Sequence, residues 1–152
     1  MYIARWDWQI GIAVWWFEGL LTDEEWEETF GHRRDLCAHS PSLPYRPAVL
    51  LYLDSDRPNA IRRKQIADLS DHPHYNPYIA CVAKTEELRG AQVAMRWAGT
   101  HPNYEKEMFR DVDPALDWLE EMRGTRLAPL RLMVRDVQRL ARRATARPQS
   151  RG

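Results

Sequence analysis

The chain has 152 residues, 44% hydrophobic and 11% aromatic, which suits one domain with a real core and excludes a disordered or collagen-like polymer. Its formal net charge is zero, yet residues 1–122 hold 13 Lys or Arg against 21 Asp or Glu, while residues 123–152 hold nine Arg against Asp136 alone, so a body at −8 carries a tail at +8. No apolar run approaches the roughly 18 residues of a membrane span, and the N-terminus begins on strand-like sequence rather than a basic and then apolar leader, so the expected compartment is the cytoplasm.

Residues 2–8 alternate Tyr2, Ala4, Trp6 and Trp8 with Arg5 and Asp7, the pattern of an edge strand with one buried face. A turn near Gln9 leads to residues 10–17, apolar on both faces, which places that strand inside the sheet or exposes one aromatic face to a partner. Thr22 and Glu25 form a capping-box pair at the start of a helix that carries Trp26, Thr29 and Phe30 inward and ends by Ser40. Residues 47–60, PAVLLYLDSDRPNA, form an unbroken apolar run, then a polar loop, then Pro58 at the first position of the next helix. In that helix Ile61, Ile66 and Leu69 are expected to face the core, with Arg62, Arg63 and Lys64 in water.

The run HPHYNP at 72–77 breaks the helix, and residues 78–83 form a short strand covered on both faces. Thr85 caps a helix through Leu88, Ala91, Val93, Met95 and Trp97, ended by Gly99 and Pro102. Met108 and Phe109 form a brief last strand; Asp113-Pro114 then start a helix with Ala115, Trp118, Leu119 and Met122 in one stripe, closed by Gly124. The order β-β-α-β-α-β-α-β-α predicts an α/β fold: a single mixed sheet, an antiparallel hairpin joined to parallel β-α units, with packed helices and a helical tail. Cys37 falls in a helical stretch and Cys81 in an apolar strand, so both read as reduced structural thiols.

Four stretches, FEGLLTDEEW at 17–26, VLLYLDS at 49–55, YIACVAKT at 78–85 and MFRDVDPALDWLE at 108–120, resemble the STAS-like (SpoIIAA-like) proteins, relatives of bacterial anti-anti-sigma factors. The resemblance covers residues 1 to about 122 and implies a small regulatory or adaptor domain without chemistry of its own. Relatives of this type carry a phosphorylatable Ser, usually before a Gly, in the loop after the third strand. This loop reads Asp54, Ser55, Asp56, Arg57, Pro58, Asn59: no Gly follows Ser55, and a phosphate there would lie between two carboxylates, with Arg57 and the helix N-terminus as the offset. The loop is therefore read as a docking loop formed by Asp54, Ser55, Asp56, Arg57 and Asn59.

Candidate chemistry is sparse. Asp54 and Asp56 lack a third ligand for a hard cation. His72, His74 and His101 lack a Cys or acidic partner at a zinc-ligand spacing, and HPHYNP has the composition of a turn. No nucleophile elbow, His-Glu-x-x-His, phosphate loop or dinucleotide fingerprint is present. No catalytic residue, metal or cofactor is expected, and the chain reads as a non-enzyme.

The tail is the stronger signal. Leu130, Met133, Val134, Val137, Leu140, Ala141 and Ala144 follow helical spacing, while Arg131, Arg135, Arg139, Arg142 and Arg143 take other faces. Three readings stay open: a helix packed on its own acidic body, a helix that binds a protein partner or a second copy, and a surface for nucleic acid or anionic lipid. The stripe has no Trp or Phe, which favours protein packing over membrane insertion. The Arg-rich end at 142–151 is expected to be disordered.

Trp6, Trp16, Trp26, Trp97 and Trp118 fall on inward faces. Trp15 with Phe17 becomes an exposed aromatic patch if no helix covers that side of the hairpin. The expected function is binding to a protein partner or a homo-oligomer, with Leu130, Met133, Val134, Arg135, Val137, Arg139, Leu140, Arg142 and Arg143 as contact residues. A small-ligand or lipid-binding domain is the alternative, and a small enzyme is third.

Overall fold

The computed structural model describes residues 1–98 and 103–147, with the side chains of 94–98 left undescribed. The side chains of Met95 and Trp97, together with Gly99, His101, Pro102 and residues 148–152, therefore lie outside the described part of the chain. Five strands, β1 (Tyr2–Asp7), β2 (Ile12–Gly19), β3 (Ala48–Ser55), β4 (Tyr78–Ala83) and β5 (Glu105–Phe109), form one sheet in the order β1-β2-β3-β4-β5. The hairpin β1-β2 is antiparallel and every later pairing is parallel. β3 is the central strand, as its continuous apolar run predicts.

The helices are α1 (Asp23–His39), α2 (Ala60–Ser70), α3 (Glu86–Ala98), α4 (Val112–Arg123) and α5 (Ala128–Ala146). Thr22 and Glu25 make both halves of the capping box of α1. Thr85 accepts the Leu88 amide at 3.1 Å to start α3, and Gly124 at φ 69° closes α4. α2 begins two residues later than Pro58 suggests: Asn59 is its N-cap, accepting the Arg62 amide at 2.9 Å. A side-chain oxygen satisfies an otherwise orphan donor, whereas proline only removes one, so Asn59 sets the boundary.

Alternate residues of the central strands feed two cores. On one face Tyr2, Ala4, Ala13, Trp15, Phe17, Val49, Leu51, Ile79 and Cys81 meet Leu36 and Cys37 of α1, with Trp26 and Leu88 at the margin. On the other, Ile12, Val14, Trp16, Leu50, Tyr52 and Val82 meet Ala115, Leu116 and Leu119 of α4 and Leu130, Val134, Val137 and Ala141 of α5. The result is a helix–sheet–helix sandwich in which α5 covers the hairpin that begins the chain. The last helix thus belongs to the core.

The expected exposed patch at Trp15 and Phe17 does not form. α1 covers that side of the hairpin, leaving Trp15 1% and Phe17 3% exposed. Trp6, expected inward, is instead 45% exposed, its ring lying 4.6 Å from that of His32 at the rim of α1. The Arg33 guanidinium is buried beneath α1, lying 5.1 Å from the Trp15 ring and donating to the Thr29 carbonyl at 3.3 Å.

α2 packs differently from its sequence reading. Ile61 is 71% exposed and the helix buries no residue completely. Arg62, expected in water, turns in instead: it pairs with Asp23 and Glu27 of α1 at 3.0 and 3.3 Å and lies over the Phe30 ring. An arginine can bury its stem and still keep its head solvated by carboxylates, which Ile61 at the first turn cannot match. No helix among the described residues is long and apolar enough to cross a membrane.

Candidate functional site: the outer face of the C-terminal helix

α5 starts from a Gly124 turn and is locked into place by Glu120. That carboxylate accepts the Leu127 amide at 2.7 Å and the Arg131 guanidinium at 2.6 and 3.2 Å, and Asp117 adds a further contact at 2.8 Å. The Arg131 hydrogen bonds, then the Leu127 amide, hold the Glu120 carboxyl below the usual carboxylate range. In the same last turn of α4, Arg123 donates to the Ile10 and Gly11 carbonyls at 3.0 Å and lies 3.8 Å from the Tyr45 ring centroid, tying the helix to the hairpin turn.

The apolar stripe is consumed within the chain. Leu130, Val134, Val137 and Ala141 are buried, and Met133 packs at the edge of the same core. Leu140 is half-buried. Leu130, Val134, Val137 and Ala141 thus form a wall of the domain within this chain, while Met133 and Leu140 keep part of their surface open. Of the three readings of the tail, packing on its own body is the one the structure adopts. Residues 142–146, expected to be disordered, continue the helix to Ala146.

What α5 presents outward is mainly charge, with Leu132 exposed near its start. Arg135, Arg139, Arg142 and Arg143 are exposed, and Arg139 makes a 3.7 Å contact with Asp136 on its own helix. Arg135, Arg142 and Arg143 meet no acceptor among the described residues. Residues four apart on one face stand about 6 Å apart along the axis. With Gln138 and Ala146 these side chains frame an open groove of about 430 Å³. Planar guanidinium groups at such spacing are suited to bidentate recognition of carboxylates.

The loop after β3 lies at the carboxyl end of the sheet, well separated in role from that groove. The Asp56 amide donates to the Gly19 carbonyl at 3.0 Å, Arg57 pairs with Glu87 at 3.4 Å and Asn59 caps α2. Asp54 is exposed and Ser55 half-buried, opposite Gly19 in the sheet register. Of the five docking-loop residues, Arg57 and Asn59 have their side chains engaged with neighbouring segments, and Asp56 contributes its backbone amide. His72 Nδ1 accepts the His74 amide at 3.1 Å and the two rings lie 5.6 Å apart, a local turn as its sequence suggests. No group of three or more His, Cys, Asp or Glu that could hold a metal occurs among the described residues.

A second concavity has no local signature in the sequence. Trp16 and Tyr52 occupy the same row of the sheet and stack at 3.6 Å with 8° between planes. Beside them lie Glu18, which accepts the Trp16 indole N–H at 2.8 Å, and Lys84, 5.8 Å from the Tyr52 ring. Burial, with Asp54 and Glu18 nearby, pushes the Tyr52 phenol up to about 12. The pairing is implied by parallel register of the two apolar strands, but only once that register is known. The chain matches no protein-family model, no curated protein and no solved structure.

Proposed function

We propose that this chain is a non-enzymatic regulatory or adaptor domain, STAS-like in organisation and cytoplasmic, that binds an acidic protein segment through the outer face of α5. One observation carries the reading: a helix immobilised by its own core holds Arg135, Arg142 and Arg143 on its solvent side, without acceptors among the described residues. Side chains projecting from a rigid element lose less freedom on binding, and a concentrated positive field speeds encounter with an acidic partner. Near-exclusive use of arginine in this segment favours carboxylates held in pairs.

The test is the full chain against its Arg135→Glu, Arg139→Glu, Arg143→Glu variant, both used to recover binding proteins from the native cell at low and moderate salt. The recovered partner is then titrated with each chain in purified form. Reversing three rim charges should weaken binding by roughly tenfold or more, and added salt should weaken the unaltered chain. These positions are exposed, so folding stability should change by about 0.5 kcal/mol or less. Equal affinity of the two chains overturns the reading, as does binding abolished by nuclease treatment, which would make the partner a nucleic acid.

A further inference from the structure

We propose that the recess at the carboxyl ends of β2, β3 and β4 binds a small organic anion with a flat apolar body, of the aromatic carboxylate or phosphate-ester class. The recess measures about 260 Å³, and lies between the Trp16–Tyr52 stack and the second half of α5. It has room for a single ring with one charged substituent, at the small end of ligand sites. The carboxyl ends of parallel strands are where open α/β sheets place such sites.

Its lining divides by chemistry. Trp16, Tyr52, Val112 and Ala141 give an apolar floor. Lys84 and Arg142 stand at the rim, both exposed, and neither meets a carboxylate among the described residues. Val112 is the first residue of α4, whose N-cap Asp111 makes no side-chain capping bond and whose first turn carries Asp113, so the positive end of that helix is offset by its own carboxylates. Glu18 is the one acid in the lining, with its Oε1 taken by the Trp16 indole, and Asp54 lies outside the lining but near Tyr52, so Lys84 and Arg142 face two carboxylates across the floor. The Tyr52 phenol stays protonated at physiological pH and is a donor. Two cations at the rim and a phenol over an aromatic floor select an anion attached to a ring over a free inorganic anion or a neutral ring.

The experiment is a titration of the full chain followed by NMR of the Trp16 indole N–H, with benzoate, phenyl phosphate, benzyl alcohol and inorganic phosphate as probes. The resonance should move with benzoate or phenyl phosphate, and the better of the two identifies the anionic group. Lys84→Met should weaken that binding about tenfold, the scale of a lost charge-assisted contact, and Arg143→Gln, outside the recess, should leave it unchanged. Lys84 is not on the Arg135–Arg143 groove, so failure here and failure of the adaptor reading are separate results. The proposal is overturned if benzyl alcohol or inorganic phosphate binds as tightly as the aromatic anions, if Lys84→Met binds unchanged, or if Trp16 does not respond up to about 10 mM probe, an affinity weaker than about −3 kcal/mol.

Discussion

Leu130→Ala asks whether α5 is a wall of the core or a detachable tail. The Leu130 side chain is completely buried in the cluster it shares with Ile12, Val14, Trp16 and Leu119. Truncating it removes three carbons from a packed site and leaves a void that the stacked rings and central strands can only partly fill, a loss of about 3–4 kcal/mol. For a chain of this length each kcal/mol is worth about 2–4 °C, so the melting temperature should fall by roughly 6–16 °C. Urea denaturation should show a lower midpoint with an unchanged slope, because the same surface is exposed on unfolding. The midpoint should also be independent of protein concentration, since α5 packs within one chain; an exchanged helix would make it rise with concentration. A loss below about 1 kcal/mol would refute the packing described for α5.

Three further outcomes rest on other contacts. Arg62→Ala should cost about 1 kcal/mol through lost packing on Phe30 and lost pairing with exposed Asp23 and Glu27, while Ile61→Ser should stay within about 0.5 kcal/mol, both read by denaturant midpoint. Glu120→Gln should destabilise by about 1–2 kcal/mol at neutral pH. Because the folded carboxyl titrates below its unfolded value of about 4.3, its contribution is present above that value and is lost as pH falls through the folded one, so variant and parent should converge in acid. Burial pushes the Cys81 thiol up to about 11 and raises that of Cys37, so a thiol reagent at pH 8 should label neither quickly in the folded chain and both after denaturant is added.

The element order, the mixed sheet and the central place of residues 48–55 were legible because apolar periodicity and capping residues are local signals. The capping box at Thr22 and Glu25 and the glycine stop at Gly124 needed no tertiary information. Trp15 and Phe17 needed more: which face of an apolar hairpin is covered depends on where α1 returns, a global property. The same holds for α2, where an aliphatic residue and an arginine exchanged their expected places because two carboxylates and a ring wait on α1. Of the candidate site, the arginines of α5 were visible as charge, but the fate of its aliphatic stripe was not, since cis and trans packing share one sequence pattern. The Trp16–Tyr52 recess required the register between strands 36 residues apart.

That α5 closes over the first hairpin also bears on the order of events during synthesis. The face bearing Ile12, Val14 and Trp16 leaves the ribosome before α5 has been made, about 110 residues ahead of it, which at typical elongation rates is roughly 5–20 s. For that interval an aromatic sheet face is open to solvent beside an unpaired edge strand, the kind of surface that aggregates or is held by chaperones. Packing of Leu130, Val134, Val137 and Ala141 then closes that face.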